Sequence, residues 1–212
     1  GQALAGWIHA RFVPERCELH LGVSPSLRPA LGPLIQRARH AFDLDADPAL
    51  IDPVLASVPG PAREGVRLPG SWEGFETAVR VILGQQVSVA AARTLCQRLV
   101  QRFGTPISTP FDDLSLLFPS AATLAAADPA DIGTLGVVRQ RVRALQALAA
   151  AVAEGRISLQ PGADLPTTLA SLTALPGIGD WSAQLIALRT LGWPDAWPAA
   201  DIALLKALGQ AP

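Results

Sequence analysis

The sequence predicts a mainly α protein: an all-α domain preceded by a small α/β portion with antiparallel strands. Three observations carry that prediction. Apolar and polar residues alternate with the period of a strand only before Ser24. Apolar residues recur with helical spacing from Ser71 to the end of the chain. Between these regions, "PGPAREGVRLPGS" is rich in Pro and Gly and reads as a linker, which divides the chain into 1–60 and 61–212.

In "GWIHARFVPERCELHLGVSPS" the alternation runs through Ile8, Ala10 and Phe12, then through Cys17, Leu19, Leu21 and Val23. It predicts two antiparallel strands joined across "VPER". Two strands alone are marginally stable, so the expectation is that either the chain begins inside a larger sheet or preceding strands are absent, leaving the α/β portion incomplete. After Ser26, "LRPALGPLIQRARHAFDL" is helix-like, and Asp47 before Pro48 marks the start of another helix, with Pro at its first position. In "SWEGFETAVRVILGQQVS", Ser71 is the expected N-cap. Gly74 stands where a capping box would carry Glu or Gln, and Phe75, Val79 and Ile82 share one face. "VAAARTLCQRLVQRFG" closes at Gly104. "SAATLAAADPADIGTLG" and "VVRQRVRALQALAAAVAEG" are two further helical stretches around a tight "LG". "DLPTTLASLTALPGIGDWSAQLIALRTLG" then reads as helix, hairpin, helix.

Composition limits the function classes. With 212 residues, half of them hydrophobic, the chain can bury one sizeable core or a main domain with an appendage, and disorder is excluded. A formal net charge of −1 gives no global positive field, so a polyanionic partner has to be held locally. Cys17 and Cys96 are far apart and form no C-x-x-C pair, which fits a reduced, cytoplasmic setting. No window offers the roughly 18 apolar residues of a membrane span, and no signal-peptide pattern opens the chain. A soluble protein without membrane association is expected. The three His are too dispersed for a zinc site.

In "LPGIG", Leu172 and Leu175 end one helix, Pro176 breaks it, and Gly177 and Gly179 permit backbone angles closed to other residues. The next helix starts near Asp180 and Trp181. A glycine turn feeding a helix presents bare N–H groups and the positive end of a dipole, which bind phosphate without a cationic side chain. The same residues also read as a plain αα-hairpin, with Asp180, whose charge repels phosphate, as a helix cap. Asp201 stands alone after a Trp- and Pro-rich loop, and its plain reading is the cap of "IALLKALG".

Taken together, Leu175, Pro176, Gly177, Ile178, Gly179, Trp181, Ala183, Arg189, Asp195, Pro198 and Asp201 resemble the helix-hairpin-helix superfamily of DNA glycosylases. "RLPGSWEGFETAVRVILGQQVSVAAA" and "WSAQLIALRTLG" are similar to its bacterial 3-methyladenine DNA glycosylase II branch. The opening strands and helix look like the tail of that branch's small N-terminal α/β domain. The resemblance implies that Asp201 is the catalytic acid. A carboxylate beside C1′ stabilises the positive charge that builds on the sugar as a base leaves, and it can orient or deprotonate the attacking water. The implied partner is damaged double-stranded DNA bearing N-alkylpurines such as 3-methyladenine, attacked by a monomer in the bacterial cytoplasm with no obligate protein partner.

The resemblance also sorts the remaining residues. Relatives that cut the strand carry a lysine nucleophile where this chain has Trp181, so a monofunctional glycosylase is implied. Their iron–sulfur cluster needs four cysteines near the C-terminus. None is expected here, nor is any organic cofactor. The target base must be flipped out of the stack, and "GQQVS" lies where the family places the wedge: Gln86, with Gln85 beside it, or else Gln86 as an ordinary turn residue. Trp181, Leu185 and Trp197 are candidate pocket residues, with Leu185 where the branch has tyrosine. Core packing is expected for at least one of Trp193 and Trp197. The family's monovalent cation, Na or K, implies carbonyl ligands at Thr173, Leu175 and Ile178. Gly136 and Arg139 in "LGVVRQRVRA" form a second hairpin-like turn with DNA-binding potential, while Arg141 and Arg143 read equally as a solvated helix face. The family continues for several helices beyond Asp201, so a fragment is expected. The rival reading is a non-catalytic helix-hairpin-helix DNA-binding module.

Overall fold

The computed structural model describes residues 4–58 and 64–209. The expected boundary at residues 60 and 61 lies outside them. Strands β1 (Ile8–Val13) and β2 (Glu18–Val23) pair antiparallel, Phe12 opposite Leu19 and Ile8 opposite Val23, across a 3₁₀ turn at Pro14–Arg16. A second 3₁₀ turn, Pro25–Ala30, leads into α1 (Leu31–Ala41). Asp47 caps α2 (Pro48–Ala56) by accepting from the Ala49 N–H at 2.9 Å, as its place before Pro48 predicts.

The helical domain is built around α3 (Gly74–Gly84), which buries Phe75, Ala78, Val79, Val81, Ile82 and Leu83. It packs against α4 (Val89–Phe103), α7 (Arg139–Ala153) and α9 (Asp180–Ile186). The expected cap of α3 at Ser71 is not the one used. Glu73 caps the helix, its carboxylate accepting from the Glu76 N–H at 2.7 Å. Gly74 follows because a Cβ there would lie 2.1 Å from the Leu159 carbonyl oxygen: close packing, not a capping box, selects the residue.

Between α4 and the next helix, β3 (Thr105–Pro106) and β4 (Leu116–Leu117) form a short antiparallel pair that no alternation in the sequence marks. The stretch expected as one helical unit is two, α5 (Ala121–Ala126) and α6 (Pro129–Thr134). Pro129 cannot continue a helix, and Asp128 caps a new one. After α7, α8 (Leu165–Thr173) leads through the hairpin to α9. A π turn at Ala187–Leu191 prolongs α9 and ends at Gly192, and α10 (Ile202–Ala207) follows the Trp-rich loop. The π turn also holds the segment before α3. Arg189 donates to the Pro69 carbonyl at 2.7 Å and its own carbonyl accepts from Ser71 at 2.7 Å. Among the described residues no helix is long and apolar enough to cross a membrane.

Candidate active site

The hairpin takes its shape from four residues. Pro176 stops α8, and the Ile178 N–H donates to the Leu175 carbonyl at 3.3 Å, closing a turn with Pro176 and Gly177 at its centre. Gly177 has φ +78°, as a type II turn requires at its third residue. A Cβ there would also crowd that of Ala144 on α7 at 3.1 Å. Ile178 is buried, which anchors the turn on the core. The expectation that both glycines need special backbone angles fails at Gly179. Its φ of −89° and ψ of 179° are extended backbone open to any residue. A Cβ on Gly179 would meet no protein atom within 4 Å. Asp180 does not cap α9 either. Gly179 is the N-cap and no side chain caps it, so the first N–H groups of the helix have no capping partner among the described residues. The Asp180 carboxylate instead accepts from Gln184 at 3.4 Å.

The loop after the π turn brings Asp201 back to this corner. Its Oδ2 accepts from Trp181 Nε1–H at 3.0 Å, and its Oδ1 accepts from the N–H groups of Ala203 at 2.9 Å and Leu204 at 3.1 Å. Asp201 therefore caps α10, as its plain reading requires, and at the same time bonds an indole rooted in the first turn of α9. The Trp181 indole and then the Leu204 N–H hold its carboxyl below the usual aspartate range. Partial burial opposes them, and the Ala203 N–H adds to the lowering. A carboxylate so stabilised is a weak proton acceptor, which makes it better suited to facing a developing positive charge than to deprotonating water.

The other expected site residues divide. Trp181 and Leu185 are half-buried and pack on the main core. Trp197 and Trp193 are 54% and 44% exposed, so neither takes the core role expected of one of them. Sequence reasoning missed Gln184, whose side-chain oxygen accepts from the Trp197 N–H at 3.3 Å and ties the Trp loop to α9. Its place one helical turn before Leu188 carried no signal of that bond. In the turn after α3, Gln86 is exposed with φ +53°. Gln85 is turned to the hairpin, its Nε2 donating to the Gly177 carbonyl and to Ser182 Oγ, each at 2.9 Å. Gly136 has φ +93° and Arg139 opens α7 exposed; of the other two, Arg141 is half-buried and bonds the Gln85 carbonyl, while Arg143 sits on an open face. The Leu175 carbonyl accepts from Ile178, and those of Thr173 and Ile178 accept no hydrogen bond among the described residues. A cleft of about 1200 Å³ lies between α1, α2 and the Leu188–Asp195 segment, away from Asp201.

Comparison with known proteins bears on this geometry. Residues 79–211 match the family model described as HhH-GPD superfamily base excision DNA repair protein, and residues 1–73 match the AlkA N-terminal domain. The chain is 43% identical over 174 residues to the probable bifunctional transcriptional activator/DNA repair enzyme AlkA of Mycobacterium tuberculosis, covering 79% of this chain and 34% of that protein. It is 37% identical over 191 residues to DNA-3-methyladenine glycosylase 2 of Escherichia coli, covering 89% of this chain and 64% of that one. It thus spans about a third of the first relative and just under two thirds of the second. Among solved structures, the 8-oxoguanine glycosylase/lyase of Clostridium acetobutylicum bound to DNA has a TM-score of 0.73 at 16% identity, with 97% of this chain and 70% of that one covered. The 3-methyladenine DNA glycosylase of Archaeoglobus fulgidus has 0.67 at 19%, with 96% and 74% covered. At those identities the structures share the fold alone.

Proposed function

The chain belongs to the HhH-GPD superfamily of base excision DNA repair proteins, and from that membership we propose that it serves as a monofunctional DNA glycosylase. The bond cleaved is the N-glycosidic bond of an alkylated purine in duplex DNA, 3-methyladenine among them, and the product is an abasic site in an uncut strand. The similarity to the two curated relatives over most of this chain supports the reading. The observation that carries it is the 3.0 Å bond from Trp181 to Asp201, which fixes an ionised carboxylate to the first turn of the helix that the hairpin feeds. A duplex gripped by its phosphates at the first N–H groups of α9 has the acid on the same rigid piece.

Each part then has a task. The hairpin amides bind backbone phosphate. Gln86 fills the space left by the extruded base. The half-buried Trp181 offers an aromatic surface to a cationic ring, whose charge also makes it a good leaving group. The Asp201 carboxylate then lowers the energy of the electron-poor sugar as the bond breaks. The carbonyls of Thr173, Leu175 and Ile178 are the proposed ligands of a sodium or potassium ion, and among the described residues two of them accept no hydrogen bond, which fits the group. When bound, such an ion would add positive charge beside a phosphate.

The rival, a DNA-binding module in which Asp201 is only a cap, has the α10 cap in its favour. Asp201→Asn separates the two, because Asn caps a helix about as well as Asp but carries no charge. Release of methylated purines from alkylated duplex DNA by the full-length protein, measured by mass spectrometry, is expected to stop in that variant while duplex binding persists. Unchanged base release would leave the module reading.

A further inference from the structure

The turn between α3 and α4 has only four residues, and it is held from three sides. The Gln85 N–H donates to the Ile82 carbonyl at 3.3 Å, and Ser88 caps α4 by accepting from the Ala91 N–H at 3.2 Å. Between them Gln86 is exposed and left-handed, a conformation that residues with a side chain keep only where their surroundings impose it. Beside it, Gln85 is tied to two neighbouring elements. Its Nε2 donates to the Gly177 carbonyl and to the buried Ser182 Oγ, each at 2.9 Å, while its own carbonyl accepts from Arg141 on α7. The Gly177 carbonyl can only accept, so the amide group of Gln85 can be oriented in only one way. All these bonds lie within the protein, so Gln85 has no hydrogen left to donate from Nε2 to DNA.

We infer that Gln85 is a positioning residue that braces Gln86 against the hairpin, so that gripping phosphate at Gly177–Gly179 also fixes where Gln86 stands in the base stack. The inference rests on the reading of the hairpin as a phosphate grip and of Gln86 as the wedge. A wedge can oppose the return of an extruded base only if it is anchored to something that does not move along the duplex. The hairpin is that anchor, and Gln85 is the link, 92 residues from Gly177 in sequence.

Gln85→Glu tests it with little change of shape, because a carboxylate oxygen then faces the Gly177 carbonyl and the bond is lost. In the full-length protein three readings are compared. They are affinity for undamaged duplex, the fluorescence rise of 2-aminopurine beside a methylated purine, and the single-turnover rate of base release. Gln85→Glu is expected to cut the last two by about tenfold and to leave undamaged-duplex affinity within about threefold; in a Gln86→Ala background it adds less than about twofold. Equal losses of affinity and release would overturn the inference, as would a tenfold cost that persists without the Gln86 side chain. Gln85→Met, which removes the donor without placing like charges together, is read in the same way if the Glu variant melts early. Wild-type protein that neither releases bases nor unstacks 2-aminopurine overturns the glycosylase reading itself and this inference with it.

Discussion

The α6–α7 turn and the α8–α9 turn share two backbone states in the same order, a left-handed glycine and then an extended N-cap. Each places a left-handed glycine, Gly136 at φ +93° or Gly177 at +78°, two residues before the N-cap. Each then buries one apolar residue, Val137 or Ile178, and opens a helix whose N-cap makes no side-chain bond. A side chain from around α4 grips each turn from outside: Arg98 holds the Leu135 carbonyl at 3.0 Å, and Gln85 holds that of Gly177. The turns part company one residue later. The first position of α7 is Arg139; that of α9 is Asp180, followed by Trp181 and its bond to Asp201. The local backbone leaves both helix starts without a side-chain cap, and a long-range side-chain bond gives only one of them a carboxylate.

The widest gap between the two turns should appear in base release. Removing the charge in Asp201→Asn is expected to lower the single-turnover rate by roughly 10³-fold, the scale of losing a preorganised electrostatic group. Replacing any one residue of the α6–α7 turn should leave that rate within a few-fold at saturating enzyme. A substitution at Gly136 or Arg139 that matched the Asp201 effect would erase the distinction.

Next comes Trp181→Phe, which keeps a ring but deletes the donor to Asp201. The folded carboxyl sits below its unfolded value, so its ionised form stabilises the fold above the unfolded pKa, and that contribution fades as pH falls through the folded pKa. Base release should follow the same ionisation, with an acid limb lying below the usual aspartate range in the wild type. Without the indole donor the limb should shift upward in pH, and the rate on the plateau should fall by about tenfold, the worth of one hydrogen bond to a charged group. An acid limb at the same pH in both proteins would show that the bond does not tune the acid.

The glycines sharpen the comparison at the level of stability. Gly177→Ala forces a methyl into a left-handed position and toward Ala144, and should cost about 2 kcal/mol by thermal melting. Gly136→Ala meets only the ends of Arg98 and Leu95, flexible side chains, so about 1 kcal/mol is expected. Gly179→Ala should change stability by less than about 0.5 kcal/mol, since its backbone is ordinary and its Cβ would stand in open space. Any fall in duplex affinity in that variant is then a reading of the surface itself.

These same positions show what the sequence made legible. Strand pairing, the cap at Asp47, and the hairpin between α8 and α9 follow from local patterns, because alternation, capping residues and Pro–Gly turns act over a few positions. The acid and the indole that meet at Asp201 and Trp181 were both singled out through the resemblance, though not their hydrogen bond. What stayed hidden depends on distance in the chain. Gly74 is set by the Leu159 backbone, and Gln85 by Gly177 and Arg141. Gly179 was misread for the opposite reason: glycine suggests an unusual backbone, and here the backbone is ordinary and the space beside it is what matters.

The smallest effect is also the one in which stability and affinity should move in opposite directions. Arg139 occupies the first position of α7, where a positive charge opposes the helix dipole, and it makes no ion pair among the described residues. Asp180 occupies the same position of α9, where its negative charge favours the helix and repels phosphate. Arg139→Ala should therefore raise the melting temperature slightly, by about 0.3 kcal/mol of stability, while weakening undamaged duplex about threefold and reducing the salt slope of binding by about 1. Asp180→Ala should do the reverse, losing a little stability and binding duplex more tightly. An unchanged salt slope in Arg139→Ala would remove the α6–α7 turn from the DNA interface. The grip would then rest on the one turn that Gln85 ties to the α3–α4 corner, and the likeness between the two turns would be a matter of folding alone.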